Sequence, residues 1–530
     1  MIKFNIVFLI GLLSIFFYFW DEERKPRNHT ILYFLLLAFF LLQVLCYFYF
    51  TIDDSYIGFR YAQNFAQGKG LVFNLGEKVE GYSNFLWMVI LGLLSRLNLG
   101  IELTAKILGI TFSVLAIFIL LSLSRRISQD KRNSNALCLL LLLISPGFGL
   151  WAVSGMETAL FTFLVTAGVF CYVSDENKRI FSLAPVLFAL AAMTRPEGAA
   201  FFMVSFLHRL IFRLKEHRIY FKDFIWLASF AVIYFPYFIW RFNYYGYLFP
   251  NTVYAKVNHG FQQYTAGLKY IFRFLQYNTA GFLFPVLAII FVYGTKRRRE
   301  FWASYLGLII LFYTGFIFLV GGDWMHEFRF FVPILPVAYL IIQEGVKLFY
   351  QFIPQERFPS FVATKISRIF SQRLIAHSVF ASVFLFTLLH AYQVKSDVDH
   401  YGELLREHHF KVAKWLKDNA PPSSKIAIID IGVIPFVSGC YTIDMCGLAD
   451  TDIAHKKMSA SEKVLKVLPE YIILANTNLL GDDKFLAFNP EEDLIYNSNK
   501  FKKDYHLVYT PIKRKINANH FYTFLIFSRK

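Results

Sequence analysis

Long apolar runs, separated by short loops that carry most of the basic residues, constrain this chain more than any other feature. The run Ile31 to Phe50 alone reaches about 30 Å as a helix rising ~1.5 Å per residue, enough to cross a hydrocarbon core. Comparable runs recur along the first three quarters of the sequence. With 56% hydrophobic and only 17% charged residues, the chain holds more apolar surface than a soluble fold can hide. A polytopic α-helical membrane protein is therefore expected. The net charge of +17 does not indicate nucleic acid, because the basic residues lie in loops between apolar runs and form no soluble basic face.

That distribution gives a topology by the positive-inside rule. Arg24, Lys25 and Arg27; Arg125, Arg126, Lys131 and Arg132; Lys178 and Arg179; Arg209 to Lys222; Lys296 to Arg299; and Lys347 to Arg373 mark the cytoplasmic loops. The alternate loops then face outward: Thr51 to Glu102, Pro146 to Met156, Thr194 to Gly198, Arg241 to Lys269, Gly321 to Arg329, and everything after Val394. Phe85 to Leu97 is apolar but too short to span, and counting it as a span inverts the later loops. It reads as an interfacial helix in the first outer loop, leaving about 12 spans. The first run, Phe4 to Trp20, lacks a small-x-small cleavage site and is expected to be a retained span.

From residue 396 the composition changes. Helix-like Leu404 to Lys417 precedes Pro421-Pro422, and short β-branched runs follow at Lys425 to Asp430 and Tyr471 to Leu474. Two domains are expected: a transmembrane domain over 1–395 and an extracytoplasmic α/β domain over 396–530. The five cysteines show no metal-ligand spacing, and no P-loop or dinucleotide fingerprint occurs. No metal and no cofactor is expected. Cys440 and Cys446 share the outer domain, where a disulfide is permitted but not required.

Polar residues collect on the outer side. Asp53 and Asp54 follow the run ending at Phe50 and open an amphipathic stretch in which Ile57, Tyr61 and Phe65 share one face, with Arg60 and Asn64 on another. A helix starting there holds both carboxylates at its N-terminus, where the macrodipole favours the ionised form. Arg195, in Thr194-Arg195-Pro196-Glu197-Gly198, Lys256, after Asn251, and Arg329, after Asp323 and His326, are the cations suited to a phosphate. Carboxylates and phosphate-binding cations at one interface suggest a lipid phosphate substrate attacked by a hydroxyl. Each group has a structural alternative: a solvated loop start for the Asp pair, a turn ion pair for Arg195 and Glu197, a snorkelling Lys256, and a helix-entry cluster for Asp323, His326 and Arg329.

The segments Asp53-Asp54-Ser55-Tyr56-Ile57, Phe59 to Ala62, Gly70 to Asn74, Val79 to Trp87 (with Tyr82 and Asn84), Gly155-Met156-Glu157-Thr158, Thr194 to Gly198, Pro250-Asn251-Thr252, Tyr254-Ala255-Lys256 and Gly321-Gly322-Asp323 resemble the GT-C membrane glycosyltransferases. Within them, the ordered set is most similar to the mycobacterial terminal β-(1→2)-arabinofuranosyltransferase group. The tail contributes Asp430-Ile431-Gly432 and Ile443 to Asp450. The resemblance implies an inverting transferase that passes sugar from a polyprenyl-phosphate donor to a hydroxyl of a glycan, glycolipid or glycoprotein acceptor. It places the work in envelope glycan assembly, outside a bacterial cytoplasmic (inner) membrane. Asp53 or Asp54 is then the base, the resemblance leaning to Asp53, and Arg195, Lys256 and Arg329 hold the departing phosphate. Arg60, Tyr82, Asn84, Glu157, Glu197, Asn251, Asp323 and His326 are expected to contact substrate. Membrane lipids are the other expected partners, and no nucleic acid is. The competing readings are a flippase for lipid-linked saccharides, against which no inverted repeat is evident, and a non-catalytic envelope assembly factor.

Overall fold

A computed structural model of the chain describes residues 29–128, 137–175, 182–256, 260–278, 284–285, 288–289, 291, 301–352, 389–421, 423–477, 485–510 and 523–530. The expected first span and the basic runs Lys178-Arg179 and Lys296 to Arg299 lie outside the described residues.

Among the described residues, five helices are long and apolar enough to cross a membrane: Ile101–Ile127, Thr158–Asp175, Phe221–Tyr245, Phe301–Val320 and His326–Leu348. Tyr33–Tyr47, Phe85–Ser95 and Ala184–Thr194 are shorter apolar helices. The chain is a polytopic helical membrane protein with a C-terminal domain built on a small sheet. Asp53 and Asp54 begin the helix Asp53–Ala66, and both acids sit in its first turn. This helix packs on Phe85–Ser95, where Gly92 permits the approach: a Cβ there lies 2.9 Å from the Ala62 carbonyl. At 11 residues, Phe85–Ser95 reaches only about 16 Å.

One expected loop is a helix. Pro146–Val153 is buried along its whole length, with proline in its first turn. Its sequence is entirely apolar, so packing between neighbouring helices is favoured over exposure as a loop. It carries Trp151 to the segment that bears His326.

The C-terminal domain is built on a five-stranded sheet of order β2-β1-β3-β5-β4: β1 Lys425–Ile428, β2 Tyr441–Asp444, β3 Tyr471–Asn476, β4 Tyr505–Tyr509 and β5 Thr523–Arg529. β2, β1 and β3 run parallel, while β5 is antiparallel to both β3 and β4. Parallel pairing requires crossovers, supplied by Val433–Ser438 between β1 and β2 and by Ala460–Val467 before β3. Ile426, Ala427, Ile428, Ile472, Ile473 and Leu474 are fully buried, as expected for central strands covered on both faces. Cys440 and Cys446 are both free thiols.

The domain docks on the loop that follows Asp53–Ala66 through polar backbone contacts. Asn74 donates to the Thr442 carbonyl at 2.8 Å and accepts from the Thr442 amide at 3.0 Å. Asn251 donates to the carbonyls of Gly447 and Leu448. These bonds fix the register of the domain on that loop and on the start of the helix Asn251–Lys256, which apolar packing alone leaves free.

Candidate active site

The two acids of the Asp53–Ala66 helix face different surroundings. Asp53 turns to the C-terminal domain: its Oδ1 accepts from the Val433 amide at 2.9 Å, and its own amide donates to the Tyr401 hydroxyl at 3.0 Å. Gly432 lies so close that a Cβ there falls 2.2 Å from Asp53 Oδ2. Burial pushes the Asp53 carboxyl up to about 6, opposed by the charge of His409 and assisted by Asp430 and Asp54. Asp54 is less buried. Gly58, one turn later, lies on the neighbouring face with Asp54, and a Cβ at Gly58 is 3.8 Å from the Asn84 amide nitrogen. Asp54 therefore shares the side of the helix that looks towards Asn84.

Asn84 leads into a buried cluster. Its amide donates to Glu157 Oε2 at 2.9 Å, and Glu157 Oε1 lies 3.4 Å from an Arg195 terminal nitrogen. Arg195 also bonds Glu197 across the turn that joins Ala184–Thr194 to Gly198–Lys215. Gly198 makes that turn feasible, because a Cβ there meets the Ala191 backbone at 2.3 Å. Arg329 Nε donates to Asp323 Oδ2 at 2.6 Å. The guanidinium carbons of Arg195 and Arg329 lie 5.1 and 5.3 Å from the Phe330 ring centroid, a cation–π distance for each. A terminal nitrogen of Arg329 also contacts the Met156 sulfur at 3.2 Å. Within this cluster two guanidiniums meet Glu157, Glu197 and Asp323, so burial of the charges is compensated.

The loop bearing Asp323 and Arg329 is strained. Glu327 and Phe328 are consecutive non-glycine residues in the left-handed region, with φ of 54° and 50°. The buried helix Pro146–Val153 holds this loop in place: Trp151 Nε1 donates to the His326 carbonyl at 3.1 Å. Such strain persists only where surrounding contacts impose it.

The structure thus brings together Asn84, Glu157, Arg195, Glu197, Asp323 and Arg329, beside the face of Asp54. Arg60, Tyr82 and Asn251 stand apart from that group. Arg60 spends its donors on the carbonyls of Phe73, Pro435 and Cys440, and burial lowers it to about 10. Tyr82 pairs with the Tyr245 hydroxyl at 2.9 Å, and Asn251 anchors the C-terminal domain. The His326 ring packs edge-on against Phe50 and Tyr401. Lys256 ends the helix Asn251–Lys256, and its side chain lies outside the described residues.

Sequence reasoning missed Phe330, Trp151, Tyr401, His409 and Val433. Aromatic residues are too frequent in this chain to single any out, and the last three lie about 350 residues or more from the acid they touch or face. Among the described residues no group of acids, histidines and cysteines is arranged to hold a metal ion.

Comparison with known proteins bears on the fold. A family model described as Domain of unknown function (DUF8728) matches residues 397–527. No curated protein shows significant sequence similarity to the chain. Among solved structures, the chain is similar to ArnT from Cupriavidus metallidurans bound to undecaprenyl phosphate, with TM-score 0.57 and 13% identity over 95% of this chain and 98% of that one. It is also similar to the Archaeoglobus fulgidus oligosaccharyltransferase tethered to an acceptor peptide containing the NVT sequon, with TM-score 0.51 and 11% identity over 90% of this chain and 79% of that one. The chain has the polytopic GT-C fold of membrane glycosyltransferases. At such identities the likeness is one of fold.

Proposed function

We propose that this chain is an inverting glycosyltransferase, taking sugar from a polyprenyl-phosphate donor and placing it on an acceptor hydroxyl at the outer face of a bacterial cytoplasmic membrane, in envelope glycan assembly. The observation that carries the reading is the meeting of Arg195 and Arg329 at one aromatic ring, linked through Glu157 and Asn84 to the helix that begins at Asp53 and Asp54. The undecaprenyl phosphate bound by ArnT supports the donor class.

Asp54 is the base in this reading, because Asp53 is occupied by the Val433 amide and covered by Gly432. A sugar hydroxyl is a weak nucleophile at neutral pH, and a positioned base contributes about 10²–10⁴-fold. As the acceptor oxygen bonds to the anomeric carbon, its proton passes to Asp54 and the bond to the lipid phosphate breaks on the opposite face. Arg195 and Arg329 receive the departing phosphate by exchanging contacts with Glu197 and Asp323, with Lys256 assigned as a further cation. Glu157 and Asn84, between base and cations, hold sugar hydroxyls. Resemblance to the arabinofuranosyltransferase group makes a pentofuranose the first sugar to test.

Mass spectrometry of envelope glycans from cells with and without the protein tests the reading. Loss of one defined sugar residue, with its polyprenyl-phosphate donor accumulating, is expected. An unchanged glycan profile and donor pool would contradict it.

A further inference from the structure

We propose that Glu327 and His390 are positioning residues for the donor phosphate: the hydrogen bond between them locks the turn that aims Arg329, and the helix carrying His390 ties that lock to the start of the Asp53–Ala66 helix. The inference rests on the reading of Arg329 as a phosphate-binding cation. It gives a task in that chemistry to two largely buried side chains that the mechanism does not otherwise use.

The segment from Asp323 to Arg329 is closed at its neck. Arg329 Nε donates to Asp323 Oδ2 at 2.6 Å, and the Met325 amide reaches Asp323 Oδ1 at 3.4 Å. At its tip Glu327 and Phe328 are both left-handed, so contacts from outside the turn must hold them there. His390 Nε2 lies 3.1 Å from Glu327 Oε2. A Cβ at Gly147 falls 2.8 Å from the Glu327 carbonyl oxygen, which presses the main chain against the buried helix Pro146–Val153. The Phe328 ring packs edge-on against Tyr270 and Phe274, with centroids 5.4 and 5.7 Å away. Among the described residues, the His390 bond is the directional contact to the Glu327 side chain, and burial shields it from competing water. A flip of Glu327 or Phe328 to negative φ redirects the chain at the next residues, and Arg329 follows at once.

The helix over 389–404 connects this turn to the acid pair. His390 and Tyr401 are separated by three helical turns, so they share a face about 16 Å apart, and Val394 and Val398 between them are buried. The Tyr401 hydroxyl accepts from the Asp53 amide at 3.0 Å, and its ring lies 5.7 Å from that of His326. One element therefore touches the Arg329 turn at His326 and Glu327 and the acid-bearing helix at Asp53.

The test measures undecaprenyl phosphate binding by native mass spectrometry, using the full chain in lipid nanodiscs. Glu327→Ala and His390→Ala are each expected to weaken binding about fivefold, the scale of one lost hydrogen bond. The double variant should lose no more than either single, because both remove the same bond. Glu327→Gln keeps an acceptor for His390 and should bind within about twofold of wild type. In transfer assays of the alanine variants, KM for donor rises while kcat at saturating donor holds, whereas a general loosening of the fold lowers kcat and the thermal midpoint together. Unchanged binding in both alanine variants, or losses that add in the double variant, overturns the proposal. If the alanine variants do not fold, Glu327→Gly, suited to the φ of 54°, removes the bond without backbone strain and carries the binding comparison. Should the wild type bind no undecaprenyl phosphate, the donor reading fails instead, and amide hydrogen exchange over 323–331 judges the lock. Faster exchange in His390→Ala then supports it, and an unchanged rate overturns it.

Discussion

Arg195 and Arg329, far apart in sequence, share the ring of Phe330, each guanidinium carbon within 5.3 Å of its centroid. Three carboxylates pair with them. In the proposed reading, an entering lipid phosphate competes with Glu197 and Asp323 for both guanidiniums. Arg195→Ala and Arg329→Ala are each expected to weaken undecaprenyl phosphate binding by at least about tenfold, by native mass spectrometry in nanodiscs. Arg329→Lys keeps the charge but loses the planar fork, so it should fall between alanine and wild type.

Stability around the loop that follows Asp53–Ala66 should depend on pH in a defined direction. Glu80 and Arg241 form a buried ion pair with two contacts, at 2.9 and 2.8 Å. Burial, opposed by Arg241, pushes Glu80 up to about 7. A carboxyl raised on folding contributes stability that is present below its ordinary value of about 4.5 and is lost as pH rises through about 7. Asp53, raised to about 6, has the same sign. The thermal midpoint in detergent should fall between about pH 5 and about pH 8, and Glu80→Gln should flatten that slope. Glu80→Ala leaves Arg241 buried without its partner and should cost about 3–5 kcal/mol.

Three glycines should respond differently to alanine. Gly198→Ala drives a Cβ into the Ala191 backbone and should lower the thermal midpoint while displacing Arg195. Gly432→Ala meets the Asp53 carboxylate and should separate the C-terminal domain from the Asp53–Ala66 helix, detected as faster amide exchange across that helix. Gly58→Ala has ordinary contact distances to Asn84 and Met88. It should fold normally, with up to about 1 kcal/mol of added helix stability.

Much of this arrangement could be read from the chain, for identifiable reasons. Apolar run length fixes the spanning class, and the runs Lys425 to Asp430 and Tyr471 to Leu474 emerge as β1 and β3, because β-branched alternation is a local signal. Ion pairs within a turn, such as Arg195 with Glu197, are also local. What the sequence does not carry is which face of a helix meets which partner. The resemblance implies a substrate contact for Arg60, and the structure buries it among carbonyls, one of them 375 residues away. Asp53 and Asp54 look equivalent until the C-terminal domain covers one of them. Pro146–Val153, outwardly a loop between spans, is buried because its neighbours bury it.

The central claim is that Asp54, next to the Arg195 and Arg329 cluster, takes the acceptor proton during transfer from a lipid phosphate. Transfer of radiolabelled sugar from a polyprenyl-phosphate donor to envelope acceptor, catalysed by Asp54→Asn protein that is folded in the membrane, measures it most directly. A fall of at least about 10²-fold in kcat with donor binding retained is the predicted result. Transfer by Asp54→Asn at the wild-type rate would contradict the account.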